Sequence, residues 1–159
     1  ALDGAYKSAS DQWTETDDPL PIIGKGDIAD PFIIDSLPFA DLRDTQQSTQ
    51  SLLNFYDGCD AVQNETGPEY MYQLSLDKET RIRALVFDRD SVDIDLHLLD
   101  GNADEMGCIE RNHQVIQTTL PPGTYHFSLD SFVSSDATVN AGEYLFVILE
   151  CHPDDSSCD

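Results

Sequence analysis

From about Tyr70 onward the chain alternates apolar and polar residues with period two, the signature of strands with one face turned to a core. Tyr70, Tyr72, Leu74 and Leu76 fall on one face. Ile82, Ala84 and Val86 share another, with Arg81 and Arg83 between them. Val92, Ile94, Leu96 and Leu98 alternate with Asp93, Asp95 and His97. Ile116 and Leu120 lead into Pro121-Pro122-Gly123, a fixed φ followed by a permissive residue, which suits a tight turn. Tyr125, Phe127 and Leu129 alternate with Thr124, His126 and Ser128, and Tyr144, Phe146 and Ile148 follow Gly142. Short strands separated by Gly, Pro and Asp turns predict an all-β, antiparallel sandwich. No stretch carries a helical period.

The opening of the chain obeys other rules. Ala1 to Asp30 has no period and too little apolar surface for a core; Pro19 and Pro21 keep their neighbours extended. We expect an extended N-terminal linker or donor segment over 1–30 and the sandwich domain over 31–159. Phe32-Ile33-Ile34 is a short strand between Pro31 and Pro38, and Thr45 to Tyr56 reads as a loop or one short helix. A segment like 1–30 gains shape only through contact with something else, because nothing within it offsets the entropy of ordering. A neighbouring copy is the expected partner, with Trp13, Ile22 and Ile23 as anchors. An intramolecular tuck of Trp13 against its own sandwich is the competing expectation.

Charge narrows the classes. With 31 acidic and 8 basic side chains among 159 residues the formal charge is −23. Nucleic acid and anionic lipid, which ask for Lys and Arg, are poor partners for such a surface. The longest apolar runs are only a few residues, so no membrane insertion is expected. Ala1 reads as following a small-residue cleavage site, which places the mature chain outside the cell. Cys59, Cys108, Cys151 and Cys158 lack CxxC spacing and suit disulfides in an oxidising compartment. The pairing Cys59–Cys151 with Cys108–Cys158 is expected, with a small Cys151–Cys158 terminal loop as the rival.

Several motifs in order resemble the bacterial pre-peptidase C-terminal (PPC-like) domain. They are Leu37-Pro38-Phe39 with Asp44-Thr45, Gly67-Pro68-Glu69-Tyr70-Met71-Tyr72, and Asp93-Ile94-Asp95-Leu96-His97-Leu98-Leu99. Leu120 to Phe127 and Ala141 to Val147 complete the set, so the likeness covers roughly residues 32–151. The resemblance implies a small jelly-roll-like β-sandwich of a secreted protein. It also implies accessory roles beside proteases and, in some members, binding of calcium or polymer surfaces.

Candidate chemistry is sparse. Asp88, Asp90, Asp93 and Asp95 offer oxygen ligands of the kind Ca²⁺ takes, six to eight at about 2.3–2.6 Å. The plain alternative is a solvated acidic face partly neutralised by Arg81, Arg83 or Arg89. Asn64-Glu65-Thr66 is a sequon that could carry glycan in a secreted chain, or a chance match. His97, His113, His126 and His152 are scattered, and His97 and His126 sit on the polar faces of their strands. There is no HExxH, GxSxG or phosphate-cradling loop, so no enzymatic activity is expected. The function expected is a secreted structural subunit that assembles head to tail into an extracellular fibre through its N-terminal segment. The alternative is an accessory module that attaches to polysaccharide or fibrous protein, marked by an aromatic strip drawn from Tyr56, Tyr70, Tyr125 or Phe132.

Overall fold

The computed structural model describes residues 22–152 and Cys158. Nine strands carry the described fold: β1 (Phe32–Ile34), β2 (Phe39–Asp44), β3 (Glu69–Leu76), β4 (Thr80–Phe87), β5 (Ile94–Leu99), β6 (Cys108–Asn112), β7 (Val115–Leu120), β8 (Gly123–Ser131) and β9 (Glu143–Glu150). They form a five-stranded sheet, β1-β3-β8-β5-β6, packed on a four-stranded one, β2-β9-β4-β7. Every pairing is antiparallel except β1 with β3, which is parallel. From β2 onward the chain changes sheet at each connection but the one from β5 to β6, which is the alternation of a jelly roll.

The period-two residues meet between the sheets. Thr80, Ile82, Ala84 and Val86 of β4 are buried while the residues between them are open or half-buried. Tyr72, Phe127 and Phe146 pack with ring centroids 4.9 and 5.6 Å apart. Two phenols in this core need partners. The Tyr72 hydroxyl donates to Asp41 Oδ2 at 2.8 Å and lies 2.8 Å from the Tyr144 hydroxyl. Arg43 Nε donates to the same carboxylate at 2.5 Å, and its guanidinium stacks 3.8 Å over Phe32. Asp41 and Arg43 therefore stitch β2 to β3 and β9 through side chains that a hydropathy reading counts as surface. That is why β2 escapes prediction.

The five-stranded sheet differs from its partner in having both faces buried. All six residues of β5 are inside. Ile94, Leu96 and Leu98 face the other sheet, whereas Leu99 packs into a second core with Leu53, Tyr56, Met71, Ala103 and Cys108. The cover is the connection between β2 and β3. It opens with a 3₁₀ turn at Thr45–Gln47, so the loop-or-helix expectation resolves as one such turn followed by irregular chain. A second 3₁₀ turn, Asp57–Cys59, packs near β6.

The N-terminal boundary expected at residue 30 needs correction. Ile22 packs on the first core and Ile28 on the second. The Ile33 amide donates to the Ile23 carbonyl at 2.9 Å, and the Met71 amide to the Gly26 carbonyl at 2.8 Å. Gly26 sits at φ +78°, and a Cβ there would come 2.1 Å from the Phe32 ring. The sandwich thus takes in the chain from Ile22 onward, because these residues satisfy the edge of β3. The anchoring role expected of Ile22 toward another copy is taken by its own core. Ile23 keeps a free side chain, 68% exposed. Trp13 lies outside the described residues.

The disulfide pairing expected first is also corrected. Cys59 bonds Cys108, and Cys151 bonds Cys158. Cys151 ends β9 in the four-stranded sheet, its amide bonded to the Arg81 carbonyl, whereas Cys59 lies behind the opposite sheet. A whole sheet separates them. The rival terminal loop is what forms, with the Cys158 carbonyl accepting from Arg81 and Gln117 side chains.

The two bridges should contribute unequally. Cys59–Cys108 spans 49 residues, which a loop-closure argument converts to about 4 kcal/mol. Cys151–Cys158 spans 7, for about 2 kcal/mol. Urea unfolding of the Cys59→Ala/Cys108→Ala double variant should therefore show the larger loss. A larger loss from the terminal pair would mean that the cover holds without its bond.

Candidate functional site

The hidden face of the five-stranded sheet is polar where β3, β8, β5 and β6 run side by side. Strand register places Met71, Ser128, His97 and Arg111 in one row, and Glu69, Asp130 and Asp95 in the next. The cover brings Glu65 and Tyr56 down onto these rows. Glu65, Glu69, Asp95 and Asp130 are all fully buried.

Each carboxyl finds a different settlement. Glu69 Oε1 accepts from the Leu52 amide at 2.9 Å and the Leu53 amide at 3.4 Å, tying down the cover. Glu105 does the same from outside, accepting from the Asn54 and Phe55 amides at 2.5 and 3.0 Å. Asp130 Oδ2 accepts from the Tyr56 hydroxyl at 2.6 Å, and that hydroxyl also lies 2.8 Å from Ser128 Oγ. Burial, then the charge of Glu69, pushes Asp130 well above the carboxylate range. Burial, then contact with Asp95, raises Glu65 to about 10. Asp95 moves the other way: burial works against it, but the Glu65 carboxyl and the Arg111 guanidinium hold it lowered. Arg111 Nη2 is paired with Asp95 Oδ2 and lies 3.7 Å from Glu65 Oε1.

His97 shares this space. Its ring stacks on Tyr56 at 3.5 Å with 10° between planes, and no hydrogen bond of normal geometry reaches either nitrogen. Burial lowers its pKa to about 3, so it stays neutral. The polar faces expected for His97 and His126 are thus not solvent-facing. His126 Nδ1 sits 3.0 Å from the Asp100 carbonyl.

Of the four aspartates expected to converge, two do. Asp93, half-buried just before β5, and Asp95 come together with His113 from the β6–β7 turn, their ligand atoms all within 4.8 Å of one another. His113 Nδ1 lies 2.5 Å from Asp95 Oδ1. Burial, then the charge of Asp95, raises Asp93. Asp88 instead accepts from the Ile94 amide at 2.8 Å, fixing the turn into β5, and Asp90 is exposed at φ +61°. Sequence reasoning missed His113 and Glu65, since their proximity depends on β6 and on the cover, neither of which has a hydropathy signature.

The remaining sites are scattered. Asn64 is half-buried, with its carbonyl accepting from the Val133 amide at 2.8 Å and Oδ1 accepting from the Thr66 amide at 3.3 Å. Tyr56 and Tyr70, half of the expected aromatic strip, are buried. Tyr125 is half-buried and donates to the Pro121 carbonyl at 3.0 Å, and Phe132 is half-buried.

These groups give the metal-free protein a pH optimum. His97 protonates near 6.5 when unfolded but only near about 3 when folded, so stability is lost as pH falls between those values. Glu65 releases its proton near 4.5 when unfolded and near about 10 when folded, so stability is lost as pH rises through that window. Each slope is at most about 1.4 kcal/mol per pH unit. Urea unfolding across mildly acidic to mildly alkaline pH should show Glu65→Gln flattening the alkaline loss. An unchanged slope would mean that Glu65 is ionised in the fold.

No family model matches the chain, and no curated protein matches it. Among solved structures it is similar to a cycloisomaltooligosaccharide glucanotransferase from Paenibacillus sp. complexed with cycloisomaltoheptaose, at 13% identity and a TM-score of 0.32. The likeness covers 71% of this chain and 18% of that one, so the chain spans about a fifth of that enzyme. So slight a likeness bears on neither ligand nor activity.

Proposed function

We propose that the chain is a non-enzymatic, secreted structural subunit, a PPC-like bead that joins its neighbours head to tail through residues 1–21. The observation that carries this reading is an unfinished edge. β3 runs for eight residues, but β1 pairs only with Tyr72, Gln73 and Leu74. The chain's own Gly26 takes the Met71 amide at one end. Beyond Leu74, Ser75 and Leu76 pair with β8 alone among the described residues. Beside that open stretch lies a cleft lined by Ile34, Leu37, Leu74 and Leu76, with the Lys78–Glu150 ion pair at 3.3 Å on its rim. An incoming extended segment could add to the edge and place an apolar side chain in the cleft. The sequence of residues 1–21 offers the required chemistry: Pro19 and Pro21, which disfavour helix, and Trp13, a large apolar side chain. A contact of this kind does not close on itself and propagates as a filament.

Other features support the same reading. Two disulfides suit an oxidising, extracellular setting. The accessory-module alternative loses weight because Tyr56 and Tyr70 cannot form an exposed strip.

Size-exclusion chromatography and negative-stain imaging test the proposal. The full chain should form ladders or filaments, and the chain lacking residues 1–21 should elute as a monomer with unchanged unfolding. A peptide of residues 1–21 in excess should cap growth. Identical monomers from both chains would overturn the fibre.

A further inference from the structure

We infer that Asp93, Asp95 and His113, with Glu65 behind them, bind a divalent first-row transition cation of the Zn²⁺ class. The inference stands apart from head-to-tail assembly and does not need it. Two carboxylates and one imidazole bring their ligand atoms within 4.8 Å of one another from two separate elements. The donor set decides the ion. Ca²⁺ takes six to eight oxygens at about 2.3–2.6 Å and has no use for an imidazole. Zn²⁺ is satisfied by about four nitrogen and oxygen donors at roughly 2.0–2.2 Å. Asp88, which a calcium site would want, accepts instead from the Ile94 amide, and Asp90 is exposed outside the cluster.

A second observation points inward to the same place. Glu65 is fully buried, and neither of its oxygens takes a hydrogen bond. Its carboxyl lies against Asp95, whose own Oδ1 faces His113 Nδ1 at 2.5 Å. The Arg111 guanidinium, 3.7 Å from Glu65 Oε1, answers Glu65 only in part, and a buried carboxyl left without a hydrogen bond is destabilising. A cation held by Asp93, Asp95 Oδ1 and His113 Nδ1 would take the place of that direct Asp95–His113 contact, with Glu65 behind Asp95. Arg111 does not compete for the ligand atom, because it pairs with the other oxygen, Oδ2. It serves as the outer partner that fixes the carboxylate's orientation. His113, 61% exposed, gives the ion a way in and leaves room for a water ligand.

Calorimetric titration of the full, chelator-dialysed chain with Zn²⁺, Mn²⁺ and Ca²⁺ tests this. We expect one equivalent of Zn²⁺, bound more tightly than Mn²⁺ and far more tightly than Ca²⁺. His113→Ala, an exposed change that the fold tolerates, should weaken Zn²⁺ by more than the roughly 10–100-fold that outer partners command. Asp93→Asn should weaken it similarly, while Asp88→Asn and Asp90→Asn leave it unaltered. Thermal melts should rise with Zn²⁺ in the parent chain and not in His113→Ala. Zn²⁺ binding that survives both His113→Ala and Asp93→Asn, a preference for Ca²⁺, or no binding at all would each overturn the site.

Discussion

Four carboxyl groups withdrawn from water against a single nearby guanidinium form the constraint around which this molecule is arranged. A sheet that carries Glu69, Asp95 and Asp130 on one face would ordinarily leave that face in solvent. Here it is roofed, and the roof adds Glu65. Each group must then be neutralised by a proton, a hydrogen bond or an opposite charge. Glu69 is answered by backbone amides, Asp130 by Tyr56 and Asp95 by Arg111. Glu65 has the poorest settlement, and it marks the point where the arrangement is unfinished.

The cover and the polar face specify one another. Amides at 52–55 would be orphaned without Glu69 and Glu105, and those carboxylates would be unpaired without the amides. The apolar side of the bargain is small: Leu53, Tyr56, Met71 and Leu99 with the disulfide. Directional bonds therefore fix the position of a strap that grease alone would leave sliding. The same strap carries Asn64 and Glu65, so the place of the fourth carboxyl follows from how 45–68 is laid down.

Much of the sandwich was readable in the residues because its inter-sheet core is made by strict alternation. β1, β3, β4, β7, β8 and β9 follow the expected apolar positions closely. β2 was illegible because Asp41 and Arg43 work inside a tyrosine cluster. β6 was illegible because Cys108-Ile109-Glu110-Arg111-Asn112 is an edge strand whose one buried position is a half-cystine and whose Arg111 is half-buried. For β5 the alternation was right and its meaning incomplete: Asp95 read as a calcium ligand or part of a solvated acidic face and His97 as lying on a polar strand face, and the roof buries both. A period of two tells which residues share a face. It does not tell what lies against that face. The site suffered accordingly, with Asp93 and Asp95 foreseen and their partners, His113 and Glu65, beyond reach.

The bond between Cys59 and Cys108 has a topological result. The polypeptide between these residues, with β3, β4 and β5 inside it, is a covalent ring. A protease that made one cut in a loop within the ring would open the backbone without liberating a piece. In a milieu rich in hydrolases, such a bead would carry its scars and stay whole.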